Sequence, residues 1–286
     1  MIHQSILHKI ENHLSVKINA YVPAGGGSVN HTLCLDTTGG RFFLKMNSAS
    51  RYPQMFEKEV KALNFLRSKN VVQIPDVIYQ DKTEEHSFLL LNWIDYGRRP
   101  AFFWQKLGSS VAALHKESVS QFGWDEDNYI GSLPQINTWK NSWSEFFISY
   151  RLEPMLQMAI NKKGYPSVIC KKFESLYKQI DNIFPVEAPS LLHGDLWNGN
   201  YMASSVSEPV LIDPAVYYGH REMDIAMTTM FGRCNEDFYQ SYNEHFPLQK
   251  GWEERIDICN LYPLLVHANL IGQGYWQSVE SILKRF

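Results

Sequence analysis

The sequence predicts an α+β fold in two lobes, a small antiparallel sheet with one main helix followed by a mostly helical second lobe. Three observations carry this. Five short strand-like stretches lie before residue 94, and one helical pattern is inserted among them. Beyond residue 96 the apolar spacing turns helical almost throughout. Between the two, Asp95-Tyr96-Gly97 breaks the last strand.

The elements come in this order. Ile6, Leu7, Ile10 and Leu14 fall on one helical face and open the chain with a short amphipathic helix. Strands are expected over 16–22, 32–36 and 41–46, with Thr38-Gly39-Gly40 turning between the last two. Phe56, Val60, Leu63 and Leu66 return to helical spacing over 53–66. A further antiparallel pair, 77–80 and 87–93, flanks the polar run Asp81-Lys82-Thr83-Glu84-Glu85. In the second lobe, Leu107, Val111 and Leu114 mark one helix, 143–158 another and 168–183 a third. The apolar run 255–271 is a fourth, with Pro263 as its start or a kink. The expected lobes are therefore 1–94 and 95–286, meeting across a cleft.

Composition narrows the class. With 286 residues there is ample chain for two lobes, and a formal net charge of −3 leaves no basic footprint for nucleic acid or an anionic membrane. No apolar stretch approaches the ~20 residues of a membrane span, and the N-terminus does not read as a signal peptide. Cys34, Cys170, Cys234 and Cys259 are scattered without metal-ligand spacing, so reduced thiols and a cytoplasmic location are expected. No repeat, heptad or low-complexity tract stands out, and the sequence sets no oligomeric state.

The chemistry concentrates in His193-Gly194-Asp195-Leu196-Trp197-Asn198-Gly199-Asn200 and, after a predicted hairpin with its turn at 204–209, Ile212-Asp213-Pro214. Phosphoryl transfer from ATP needs a carboxylate to accept the proton of the attacking hydroxyl, and an amide oxygen and a second carboxylate to hold magnesium. Asp195, Asn200 and Asp213 supply these groups in that order. Upstream, Gly25-Gly26-Gly27-Ser28-Val29-Asn30 sits between the first two strands, where backbone N–H groups can approach phosphate. Read alone it is equally a simple turn, and it lacks the G-x-x-x-x-G-K-[ST] pattern. Lys45, in the third strand, is placed to hold phosphate, with Glu59 on the following helix orienting it and Glu57 as a neighbouring candidate. Backbone groups of Trp93, Ile94 and Asp95 are expected to bond an adenine edge.

These motifs, in this order, resemble the fructosamine kinase or ketosamine-3-kinase family, in the aminoglycoside-phosphotransferase-like branch of the protein-kinase-like fold. The L-W-x-G-N form of the loop carries the resemblance. So do the run Asp213-Pro214-Ala215-Val216-Tyr217-Tyr218-Gly219-His220-Arg221-Glu222-Met223-Asp224 and the segment Gly26-Gly27-Ser28-Val29-Asn30. It implies ATP- and Mg2+-dependent phosphorylation of the sugar 3-hydroxyl of ketosamines, free or protein-bound, a deglycation activity. It also implies that Asp195 accepts the proton, that Asn200 and Asp213 bind magnesium, that Lys45 and the glycine loop contact phosphate and that Trp93 to Asp95 bind adenine. Some relatives carry a cysteine in the phosphate loop where this chain has Ser28, so thiol control there is not expected. His193 and Asp224 are expected to brace the loop. Trp197, Tyr217, Tyr218 and His220 are candidates for touching the sugar or its amine, since aromatic faces suit a polyol beside a cation, with ordinary packing as the rival account. A choline- or aminoglycoside-type kinase and an inactive nucleotide-binding protein remain the alternatives.

Overall fold

Alternating apolar residues of the first hundred positions build one antiparallel sheet. In the computed structural model, which describes residues 3–25 and 29–286, α1 (Gln4–Leu14) precedes β1 (Ile18–Pro23), β2 (His31–Thr37) and β3 (Gly40–Ser48). Then come α2 (Met55–Ser68), β4 (Val77–Lys82) and β5 (His86–Asn92). Among the described residues the sheet has five strands in the order β1-β2-β3-β5-β4. Successive side chains of a strand point to opposite faces. Leu44 and Met46 of β3 and Phe88 and Leu90 of β5 accordingly pack with Ile6 and Ile10 of α1 in one core. Lys45 and its cross-strand partner Leu89 take the other face, and α2 packs on β4 and β5.

The chain continues through α3 (Ala101–His115), β6 (Asn128–Ile130) and β7 (Leu133–Gln135). The helix expected over 143–158 is α4 (Trp143–Phe147), a π turn (Ile148–Leu152) and α5, which runs on from Glu153 to Lys163. Gly164, at φ +71°, ends it in the left-handed conformation that glycine adopts without strain. The stretch expected over 168–183 is broken into α6 (Cys170–Tyr177) and α7 (Ile180–Ile183). After β8 (Ser190–Leu192) comes the predicted hairpin, β9 (Tyr201–Ala203) and β10 (Pro209–Leu211). The last elements are β11 (Tyr217–Gly219), α8 (Glu222–Met227), α9 (Glu236–His245), α10 (Trp252–Leu270) and α11 (Gln273–Ile282). Pro263 lies inside α10 and is not its start. Apolar on nearly every side, α10 is the central helix of this part and packs against α5, α8 and α11.

Two compact units result, and they are not the contiguous pair expected. One is the chain up to Phe103 with Gly199–Pro214, and the other is Trp104–Asn198 with Ala215–Phe286. The hairpin joins the first unit through specific bonds. Leu211 N–H donates to the Gln73 carbonyl at 3.0 Å and Gly97 N–H to the Ala203 carbonyl at 2.9 Å. Arg99 donates to the Tyr201 carbonyl at 2.9 Å and lies over the Tyr201 ring. Gly97 has to be glycine here, because a Cβ would stand 1.8 Å from the Ser204 carbonyl oxygen.

Candidate active site

In the first unit, Lys45 is 3% exposed, and its ammonium bonds Glu59 Oε1 at 2.7 Å and Asp213 Oδ1 at 3.0 Å. Burial works against its charge, but the carboxylates of Asp213 and Glu59 outweigh it and hold the ammonium above its ordinary value. Glu59 is pushed up, by burial first, with Lys45 opposing and Asp213 adding. The hairpin delivers Asp213 to this cluster. The β9–β10 register pairs Tyr201 with Leu211, and Ile212 N–H donates to the Asn200 carbonyl at 3.0 Å, so Asn200 and Asp213 stand at adjacent ends of the two strands. Asp213 has φ +54°, a conformation that costs strain for a residue with a side chain and gathers at functional sites.

Gly26, Gly27 and Ser28 lie outside the described residues. At the end of β5, Trp93 N–H already donates to the Arg41 carbonyl at 3.3 Å, so it is not available to adenine as expected. The Asp95 carboxylate takes both Arg41, at 2.7 and 2.9 Å, and the Trp93 indole N–H, at 3.0 Å.

In the second unit, the buried Asp224 carboxylate gathers the start of the 193–200 loop. It accepts the backbone N–H of His193 at 2.7 Å and of Gly194 at 2.9 Å, and lies 3.2 Å from His115 Nε2. His115 Nδ1 in turn meets the Tyr242 hydroxyl at 2.8 Å. His193 Nδ1 accepts from the Asp195 N–H at 3.2 Å, a bond within the loop. Gly194, at φ +83°, lies so close to Ala215 that a Cβ would stand 2.0 Å from the Ala215 carbonyl oxygen.

The expected acceptor residues separate. Tyr217, Tyr218 and His220 are 1%, 5% and 1% exposed, so as they stand none of them presents a face to a sugar. Tyr217 stacks on Phe146, Tyr218 lies beside Trp124 and Trp139, and His220 lies against Trp143 and Phe184. The run looked like recognition because aromatics serve packing and recognition equally. Trp197 alone of the four is half-buried, and its ring meets Phe231 at 5.2 Å. Phe231 contacts His267 and Tyr275, giving a half-exposed aromatic group that no local motif announced. Burial pushes the His267 imidazole below its usual value, while its Nδ1 contact with the Pro263 carbonyl at 2.7 Å opposes this.

A buried strand lysine clamped by a helix carboxylate and by the aspartate that follows the hairpin, on a chain whose H-G-D loop is anchored from below, defines a phosphotransferase of the protein-kinase-like fold. Choline and aminoglycoside kinases share that fold at low sequence identity. The chain belongs to the fructosamine kinase family, whose model, described as "Fructosamine kinase", matches residues 2–286. A Synechocystis protein named "Probable ketoamine kinase" is 38% identical over 264 residues, covering 91% of this chain and 88% of its own. The Arabidopsis thaliana chloroplastic protein-ribulosamine 3-kinase is also 38% identical over 264 residues, with 91% and 80% covered. A solved Thermobifida fusca structure assigned by name to the fructosamine-3-kinases superposes with a TM-score of 0.89 at 29% identity, covering 99% of this chain and 98% of that one.

Proposed function

We propose that this protein transfers the γ-phosphoryl group of ATP to the 3-hydroxyl of ketosamines, the sugar–amine adducts, and so labilises them. The observation that carries this reading is the intact Lys45–Glu59–Asp213 cluster, with Nζ bonded to both carboxylates. An inactive nucleotide-binding relative would have no need to keep two carboxylates bonded to a buried ammonium. In the proposed step the acceptor oxygen forms a bond to the γ-phosphorus, the bond between that phosphorus and the β–γ bridging oxygen breaks, ADP leaves and the hydroxyl proton passes to Asp195. Lys45 would contact phosphate oxygens, and the groups left at Trp93, Ile94 and Asp95 would meet the adenine edge. His193 and Asp224 would hold Asp195 in place.

Asn200 and Asp213 suit magnesium, a hard cation that binds proteins through one or two oxygen ligands and completes its shell with phosphate and water. Among the described residues no cluster of three His, Cys, Asp or Glu forms an all-protein metal site, and none is needed for such an ion. Magnesium bound there would neutralise charge on the phosphates.

For the acceptor, Trp197 with Phe231, His267 and Tyr275 offers ring faces to a polyol beside a protonated amine. Among the described residues no helix is long and apolar enough to cross a membrane. The four cysteines are free thiols, which suits action in the cytoplasm.

Incubation with ATP, magnesium and a panel of fructosyl- and ribulosyl-amines should give the 3-phosphorylated products by mass spectrometry. Turnover of choline or an aminoglycoside in place of every ketosamine would overturn the substrate. Asp195→Asn should lower kcat by about 10²–10⁴-fold with the melting temperature kept, and near-native turnover would remove Asp195 from the chemistry.

A further inference from the structure

Arg151 is among the largest fully buried side chains, and the proposed reaction gives it no task. Among the described residues no carboxylate reaches it. Its guanidinium donates to the Ile136 carbonyl at 2.6 Å, the Tyr150 carbonyl at 3.0 Å and Asn137 Oδ1 at 2.7 Å, while Nε has no partner. Three rings surround it, with Tyr217 at 4.0 Å, Phe146 at 4.5 Å and Tyr262 at 5.4 Å from the guanidinium carbon. It is carried by the π turn between α4 and α5, a rare element that often marks functional positions. One extra residue in a helix rotates the remainder of that helix by about 100°.

An arginine can only donate hydrogen bonds, and this fixes the direction of everything connected to it. Asn137 must turn Oδ1 to Arg151 and so offers its amide N–H to Asn128 Oδ1 at 2.9 Å. Asn128 then donates to the Val216 carbonyl at 2.9 Å. From the other side, the Tyr262 hydroxyl donates to Gln135 Oε1 at 2.8 Å, which aims the Gln135 amide at Asn128 Oδ1, at 2.8 Å, and at the Ala215 carbonyl, at 3.1 Å. Two oriented chains thus end on successive carbonyls, those of Ala215 and Val216. Ala215 is the residue whose N–H donates to the His193 carbonyl at 2.9 Å and against whose carbonyl Gly194 is packed. Burial lifts the Tyr262 phenol above its ordinary range. Arg151 opposes that lift, and Tyr217 and then Asp195 add to it.

We propose that Arg151, Asn137, Asn128, Gln135 and Tyr262 form a polarised hydrogen-bond relay that fixes the Ala215–Val216 backbone and through it positions Asp195 for phosphoryl transfer. These are positioning residues. The proposal rests on Asp195 being the proton acceptor, and it adds an anchor at the His193 carbonyl to the one Asp224 supplies at the His193 and Gly194 N–H groups. Misplacement of a reacting group by about 1 Å can cost ~10²-fold in rate.

Two variants test it. Tyr262→Phe keeps the ring and removes only the donor to Gln135, and Arg151→Met removes the head of the other chain while filling its volume. Leu156→Ala, a buried α5 position outside the relay, is the control for general destabilisation. The expected result is a fall in kcat of about 10-fold for Tyr262→Phe and about 10²-fold for Arg151→Met, with KM for ATP within twofold. Leu156→Ala should retain kcat well below its own melting temperature. Hydrogen exchange at the Ala215 amide should accelerate at least 10-fold in Tyr262→Phe and stay unchanged in the control, a readout independent of the acceptor's identity. Should Arg151→Met fail to fold, Tyr262→Phe carries the test. Native kcat and native Ala215 exchange in Tyr262→Phe would overturn the relay. A wild-type enzyme inert on all ketosamines, with the exchange difference intact, would instead overturn the substrate and leave the relay standing.

Discussion

Lys45 and Arg151 are both buried cations, one in each unit, and the two units hold them by opposite means. Lys45 sits between two carboxylates, whose attraction exceeds the cost of desolvation, and it keeps its proton because they are there. Arg151 has only neutral oxygens and ring faces, and its planar guanidinium serves as a rigid fork of donors to them. The first arrangement is an electrostatic balance that phosphate or a metal ion can redistribute. The second is a fixed set of donors that orders amides around it. A site that handles migrating charge needs the first, and a scaffold that must not move is better built from the second.

The difference should appear most strongly on removing each cation. Lys45→Met leaves Glu59 and Asp213 facing each other without a counter-ion, and losing one partner of a buried pair costs about 3 kcal/mol at the lower end, appropriate here because Asp213 is partly exposed. Arg151→Met strands three neutral acceptors and no ion, for about 2 kcal/mol. The pH dependence separates them better than the size. The Glu59 value, already raised, rises further without Lys45, and an acid with a raised folded-state value gains stability as pH falls through that value. Urea unfolding of Lys45→Met should therefore recover part of its deficit between pH 7 and pH 5, while the Arg151→Met deficit stays constant. Equal pH slopes would break the contrast.

His220 shows a third solution, in which the base surrenders its charge. It is 1% exposed, and burial first, with Arg221 and Arg255 assisting and Glu187 opposing, lowers its value to about 4. Because the folded-state value lies below the unfolded one, this contribution is present above about pH 6.5 and lost as pH falls toward 4. Between pH 7 and pH 5 it amounts to about 2 kcal/mol. His220→Gln should lose correspondingly less stability than the wild type over that interval, and parallel curves would show that the imidazole is protonated in the fold.

Much of the first arrangement was legible in the sequence and little of the second. Lys45, Glu59, Asn200 and Asp213 were picked out by residue type and by their order along the chain, and the hairpin between Asn200 and Asp213 was readable from its turn residues. The relay escaped because Asn128, Gln135 and Asn137 at the β6–β7 hairpin, Arg151 in the π turn and Tyr262 in α10 come from three separate stretches, and what joins them is the direction of a hydrogen bond, which leaves no local pattern. The π turn was hidden for a related reason, since apolar spacing over 143–158 does not register one extra residue. For Tyr217, Tyr218 and His220 the sequence left packing and recognition both open, because the 3D environment decides whether an aromatic packs or recognises. The division into units was missed because Gly97, Arg99 and Gln73 tie the hairpin back to residues a hundred or more positions away.

The smallest effect belongs to a cation whose bonds look as good as those of Lys45 on distance alone. Arg41 makes two bonds to Asp95, at 2.7 and 2.9 Å, shorter on average than those of Lys45, yet both side chains are about half exposed. Water competes for such a pair, and salt screens it, so a double-mutant cycle with Arg41→Gln and Asp95→Asn should return no more than about 1 kcal/mol, shrinking as ionic strength rises. A coupling of about 2 kcal/mol or more that resists salt would mean that the segment after β5 is ordered by this contact. The Trp93 indole bond to Asp95 would be the first place to look. A small, salt-sensitive coupling would place Arg41 at the far end of a series running through Lys45 and Arg151, in which burial and the groups around a cation, and not its bond lengths, decide what the charge is worth.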